Sequence, residues 1–221
     1  MHPERAIVSR PIRIAYVVLA LLTVGVITRL VKSGKTAEFD ATVTLAIQKQ
    51  TNPLFSRLMH LASWAGFPPQ SRILPWAIPG FIGYFGNRVD AIFQLAGWGT
   101  SALSFLLKTF MNRPRPVAGR FIVVAARIGG TSFPSGHVIN YTGVYGMLAY
   151  LAGQHVKNKV VRRGIVAFLV SKIVLVGPSR IYLGHHWFTD VVTSYLLGSS
   201  YLVALTAIYR RARYRGQRGT G

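Results

Sequence analysis

His186 and Asp190 stand four positions apart, a spacing that puts two side chains on one face of a helix. An aspartate so placed can accept the proton of one imidazole nitrogen and leave the other free as a nucleophile. Ser179 and Arg180 come shortly before them, Pro134-Ser135-Gly136-His137 form a second polar group, and Lys108 with Arg115-Pro116 a third. Lys108, Arg115 and Arg180 are permanent cations, the arginines with a planar fork suited to phosphate oxygens. Pro134 at a helix start and Gly136 beside it leave backbone N–H groups free to face an anion, and Ser135 adds a hydroxyl. His137, on a different helix, can protonate a leaving oxygen. Cations around such a group stabilise charge on the equatorial oxygens of a phosphoryl transition state.

The shortage of acids narrows the chemistry. The chain has 26 Lys and Arg against 5 Asp and Glu, and after Asp90 the only acid is Asp190. A magnesium or two-metal phosphatase needs several carboxylate ligands. No metal or cofactor is expected, and cationic side chains must do the neutralising. Without cysteine, disulfides and thiolate-bound metals are excluded.

These groups need elements to carry them. The 221 residues suffice for one domain or one helical membrane bundle. Half the chain is hydrophobic, the mean hydropathy is +0.36, and the charged share of 14% lies below the soluble norm of about 25%. Apolar runs near the ~20 residues of a bilayer crossing fall at Ile12 to Val31, Val89 to Leu107, Pro134 to Leu151, Gly164 to Leu183 and Phe188 to Tyr209, with a shorter run from Ile73 to Phe85 that holds Pro75 and Pro79. The first run follows Arg5, Arg10 and Arg13 but lacks a small-residue cleavage site, so it reads as an uncleaved helix. Lys32 to Gln50 reads as a polar stretch. Pro53 to Phe67, interrupted by Arg57 and His60, reads as an amphipathic helix lying in the interface. The expected fold is an all-α bundle of six transmembrane helices in a single domain spanning 1–221, its motifs within 108–190, with that interfacial helix between the first and second spans.

Six spans put both termini on one side. That side carries 13 basic residues and the other 11, of which Lys108, Arg115 and Arg180 belong to the motifs. The bias favours cytoplasmic termini and an extracytoplasmic site in the plasma membrane. All three motifs then fall at one end of the bundle.

At these residues the chain resembles the type 2 phosphatidic acid phosphatase superfamily, whose signature is Lys-x6-Arg-Pro, Pro-Ser-Gly-His and Ser-Arg-x5-His-x3-Asp. KTFMNRPRP places Lys108, Arg115 and Pro116 in register, PSGH occupies 134–137, and SRIYLGHHWFTD places Ser179, Arg180, His186 and Asp190. Together the three spaced blocks are highly specific. The resemblance implies a metal-independent phosphomonoesterase or pyrophosphatase with a phosphohistidine intermediate. It implies His186 as nucleophile, Asp190 as its orienting partner, His137 as general acid, and Lys108, Arg115, Ser135, Gly136 and Arg180 as phosphate binders. The family also contains soluble vanadium haloperoxidases, a branch the apolar spans argue against.

Other residues read more plainly. Arg113 and Arg120 hold no signature position and are expected to be solvated or to meet lipid headgroups. His185 points about 100° from His186 on a helix and reads as a supporting or interfacial group, while His60 and His155 read as uninvolved. Lys172, eight residues before Arg180, can line a pocket, bond a backbone carbonyl or reach the interface. The expected partners are a membrane and a lipid phosphate or diphosphate, with no nucleic acid, since positive-inside charge explains the basic tail Arg210 to Arg218. The site serves a lipid-to-lipid phosphotransferase equally well. A lipid transporter would spread its cations through the depth of the bundle, whereas these cluster at one end.

Overall fold

The structure, a computed structural model, describes residues 9–119, 123–126 and 128–218, with side chains to 213. Arg120, Arg5, Tyr214 and the end of the basic tail, as side chains, lie outside the described residues. The described residues form helices and connecting loops: α1 Arg10–Lys32, α2 Ala37–Gln48, α3 Pro53–Ser63 with the 3₁₀ turn Trp64–Gly66, α4 Gln70–Phe85, α5 Arg88–Ala96, α6 Gly99–Phe110, α7 Gly136–His155, α8 Lys159–Tyr182 and α9 Phe188–Arg218. The all-α expectation holds. Among the described residues α1 and α9 are the helices long and apolar enough to cross a membrane by length and composition alone.

Helix α7 is the centre. It packs on α8, α9, α6 and α5, while α1 lies along α9. Val138, Ile139 and Met147 of α7 are fully buried. The exterior is equally apolar: Leu22, Leu54, Trp76, Phe105 and Val160 are exposed. The fully buried set includes Asp40, Gln48, Ser63, Arg180, Asp190 and Ser194. Polar groups inside and apolar groups outside is the distribution a hydrocarbon solvent selects. Burial of oil then supplies little of the helix association, and close packing with interhelical hydrogen bonds must supply it. Gly143 shows the packing: a Cβ there would sit 2.5 Å from the Gly97 carbonyl, so only paired glycines let α7 approach the α5–α6 junction.

The sequence limits are met at their cores and changed at three places. The Val89 to Leu107 span is two helices, interrupted at Gly97-Trp98, where tight bonds such as Trp98 N–H to Leu95 O at 3.0 Å replace helical ones. Helix α4 runs through both Pro75 and Pro79. The supposed polar stretch, Lys32 to Gln50, contains α2, whose buried face is Asp40, Ala41, Thr44 and Gln48. This helix is amphipathic in reverse, with its polar residues inward. The Pro53 to Phe67 segment is helical over α3, which starts at Asn52, whose side chain accepts Leu54 N–H at 2.8 Å.

Candidate active site

Four helix ends meet: the C-terminus of α6 with Lys108, the N-terminus of α7 with Gly136 and His137, the C-terminus of α8 with Arg180, and the N-terminus of α9 with Asp190. The structure thereby brings together Lys108, Arg115, Ser135, Gly136, His137, Arg180, His186 and Asp190 at one end of the bundle. His137 lies within electrostatic reach of Arg180, His186 and Arg115, and Lys108 within reach of Arg115, Asp190 and Arg180.

His186 does not open α9, as expected from its spacing; it sits in the α8–α9 connection. Helix α8 ends in a Schellman turn, with His185 N–H donating to Arg180 O at 3.0 Å and Gly184 N–H to Ile181 O at 3.0 Å. Gly184 takes φ +69°, and a Cβ there would collide with the backbone of Val123. Only glycine turns the chain this way, and the turn delivers both histidines to the site. Gly184 carries its own signal in the sequence, since a glycine after an apolar helical run is a recognised stop signal.

The partners of His186 settle its tautomer. Its Nδ1 lies 2.7 Å from the Ser132 carbonyl, which can only accept, so Nδ1 carries the hydrogen. Its Nε2 lies 3.2 Å from Arg115 Nη1, which can only donate, so Nε2 presents a lone pair. Burial holds the imidazole well below its usual protonation range, and Arg180, Arg115 and Lys108 press in the same direction, against the Ser132 carbonyl. Neutral His186 thus turns an electron pair toward Arg115. Asp190 Oδ2 is 3.6 Å from Nδ1, so the direct orienting bond comes from Ser132 and Asp190 stands one step behind. Asp190 instead accepts Trp187 N–H at 2.9 Å, closing the first turn of α9 as a capping box does.

The cations face the same space. Arg115 is anchored by the His185 carbonyl at 2.7 Å and the Thr131 carbonyl at 3.1 Å, and Lys108 by Thr131 O at 3.2 Å. Arg180 is fully buried, stacked 5.0 Å from the Phe67 ring centroid, with Nη1 on Ser63 Oγ at 3.3 Å while Nε and Nη2 have no partner among the described residues. Buried donors of this kind fit a bidentate oxyanion. Ser135 Oγ is likewise buried and unpartnered, but the Ser135 N–H donates to Ser194 Oγ at 2.8 Å rather than turning to a ligand.

Several side chains differ from expectation. Arg113, expected in solvent or among headgroups, is nearly buried and joins Asp190 Oδ1 and Asp40 Oδ2, each at 2.5 Å. His185 is buried, edge-on to Phe67 at 6.1 Å, and burial pushes it down to about 3. Lys172 takes the second of its three options and donates to Leu61 O at 3.1 Å, capping the end of α3. That end carries Ser63, Gly66 and Phe67 into the site, and the Phe67 ring lies 4.9 Å from His137. His155 is engaged elsewhere, at the far end of α7, with Asp90. Asp40, Ser63, Phe67 and Ser132 were missed; all lie outside the three sequence blocks, and only tertiary packing brings them in.

Below His137 a cleft of about 420 Å³, mouth included, runs down α7 between α4 and the α5–α6 junction. Gly136 and His137 form its upper end, Asn140 and Trp98 its middle, and Tyr145 and Ile78 its apolar lower part.

The family model described as the PAP2 superfamily matches residues 91–214. Phosphatidylglycerophosphatase B of Bacillus subtilis (strain 168) is 31% identical over 182 residues, covering 80% of this chain and 84% of that protein. Among solved structures, the first transmembrane PAP2 type phosphatidylglycerolphosphate phosphatase from Bacillus subtilis superposes with a TM-score of 0.76 at 24% identity, over 87% of this chain and 94% of that one. Aquifex aeolicus LpxE gives 0.60 at 22% identity, over 75% and 93%.

Proposed function

The chain belongs to the PAP2 superfamily, and from that premise we propose that it is a membrane lipid phosphatase working through a phosphohistidine. The carrying observation is the orientation of His186, with Nδ1 donating to Ser132 O at 2.7 Å and Nε2 directed to Arg115 at 3.2 Å. In the first step the Nε2 lone pair attacks phosphorus and the bond to the lipid oxygen breaks. His137 gives its proton to that leaving oxygen. In the second step His137 takes a proton from water, the water oxygen bonds phosphorus, and the P–N bond returns its electrons to Nε2. Lys108, Arg115, Arg180, Ser135 and the Gly136 backbone hold the equatorial oxygens through both steps. Asp40 and Asp190 are both engaged by Arg113; this supports cationic side chains rather than a metal as the charge carriers.

The substrate's leaving group enters the cleft under His137, whose lower part suits hydrocarbon. Phosphatidylglycerophosphate is the first candidate because the Bacillus subtilis relative is named for that activity. Six crossings account for the fold: α1, α4, the α5–α6 pair, α7, α8 and α9, with α2 and α3 between the first and second. Cytoplasmic termini then put the site on the extracytoplasmic face.

The test is phosphate release from a panel of lipid phosphates and diphosphates in detergent with EDTA, for wild type and His186→Ala. Release that survives EDTA and disappears in the variant supports the reading; equal release by the variant, or none from any lipid, overturns it. Phosphate appearing on an added acceptor lipid instead of in solution would make the enzyme a transferase. Because the chain has no cysteine, single cysteines placed beside Lys108 and at Lys157 can report topology by their access to an impermeant thiol reagent; labelling of both from the same side overturns the six-crossing arrangement.

A further inference from the structure

We infer that Asp40 and Arg113 are positioning residues for the nucleophile, so that α2, from outside the residues matched by the family model, completes the active site. The inference rests on His186 being the nucleophile. It begins with a helix that lacks an ordinary cap. Val191 N–H bonds Trp187 O at 3.2 Å, which makes Trp187 the residue before the first turn of α9, and a tryptophan side chain cannot accept the N–H groups that a helix start leaves open. Two carboxylates serve instead. Asp190, within the first turn, takes Trp187 N–H at 2.9 Å. Asp40, on α2, takes Thr189 N–H at 2.9 Å and the Thr189 hydroxyl at 2.8 Å.

Arg113 locks the two together. Nη1 donates to Asp190 Oδ1 at 2.5 Å and Thr189 Oγ1 at 2.7 Å, and Nη2 to Asp40 Oδ2 at 2.5 Å and Thr36 Oγ1 at 3.2 Å. Both carboxylates are fully buried. The guanidinium fork is the one side chain that satisfies two carboxylates from a fixed plane. One residue further along the chain, Pro114 accepts Ser132 Oγ–H at 3.2 Å, and the Ser132 carbonyl holds His186 Nδ1. Asp190 Oδ2 lies 3.6 Å from the same Nδ1. Asp40 and Arg113 therefore set the position of both groups that face Nδ1, while neither touches the space where phosphate would sit. Their loss should disturb the aim of Nε2 and spare the cradle.

The experiment compares Asp40→Asn and Arg113→Lys with wild type for lipid phosphate hydrolysis, and for binding of orthovanadate as a phosphate mimic. Asp40→Asn keeps the shape and loses the charge; Arg113→Lys keeps the charge and loses the bridge. The expected result is kcat lowered roughly 10- to 100-fold, the size of effect produced by misplacing a reacting group, with KM and vanadate affinity within about 2-fold and phosphohistidine, trapped by an alkaline denaturing quench, accumulating more slowly. Unchanged kcat in both variants overturns the inference. So does a loss that affects KM, vanadate affinity and folded yield together, which marks a structural role only. If Asp40→Asn does not accumulate, Arg113→Lys carries the test alone. Activity retained by His186→Ala would instead remove the mechanism beneath it, a separate failure.

Discussion

Two histidine–aspartate pairs close the two ends of the bundle, and they are built differently. At one end His155 Nε2 lies 3.0 Å from Asp90 Oδ2, with the Tyr209 hydroxyl donating to Asp90 Oδ1 at 2.7 Å. This pair is direct, half-open to its surroundings, and joins α5, α7 and α9. At the other end His186 is buried, its aspartate is 3.6 Å away, and a carbonyl takes the intervening hydrogen bond. His155 presents Nε2 to its carboxylate, whereas His186 turns Nε2 to Arg115, and the motif cations stand with His186. The two pairs thus differ in which imidazole nitrogen is engaged by the carboxylate and in what faces the other.

The largest expected difference tests that contrast at its root. His186→Ala should reduce phosphate release by at least ~10³-fold, as loss of a nucleophile does, while His155→Ala should leave kcat within about 2-fold. Single-turnover assays of both variants decide; comparable losses would erase the distinction between the ends. Next comes the cation that His155 lacks. Arg180→Lys preserves charge but forfeits the planar donors at Nε and Nη2, and should cost on the order of 10²-fold in kcat, the range for removing one transition-state donor. A lysine variant with wild-type turnover would mean that Arg180 serves Ser63 and Phe67 only.

The contrast also explains what could be read from the chain. The end that carries the motifs was legible because three blocks of polar residues interrupt apolar helices at fixed intervals, and nothing but convergence explains so many charges at one depth. Arg113 escaped because it and Arg115 look alike in an Arg-Pro-Arg-Pro run, and only packing assigns one to the cradle and the other to the carboxylates. Helix α2 escaped for a clearer reason. Its buried face is Asp40, Thr44 and Gln48, and a search for apolar faces discards a helix that turns its polar residues inward. Helices α7 and α8 carry His137, Asn140, Lys172 and Arg180 inside them, which lowers the apolarity of the Pro134 to Leu151 and Gly164 to Leu183 runs.

A smaller effect probes the His155–Asp90 pair. Tyr209→Phe removes one hydrogen bond to a buried carboxylate, a contribution of about 1.5 to 3 kcal/mol. Thermal unfolding in detergent should show a lowered midpoint with kcat per folded molecule unchanged. Lost turnover without lost stability would join the two ends functionally, which the separation of His137 and His155 along α7, roughly 27 Å at helical rise, argues against.

The smallest effect concerns acid, and its sign follows from burial. In the folded protein His185 is held down to about 3 and His186 well below the ordinary imidazole value near 6.5, in both cases mainly by burial. The unfolded chain has no such restraint. Below pH 6.5 it binds protons that the folded state refuses, so stability is fully present above that pH and declines as pH falls from there toward 3. Replacing His185 with glutamine removes one of these protons and should flatten the decline of the unfolding midpoint between pH 6.5 and 5. A midpoint that rises on acidification, or a slope indifferent to His185, would mean that these imidazoles are charged in the folded state. His185 and His186 are the buried imidazoles of the α8–α9 connection, so this weakest signal reads their protonation state directly.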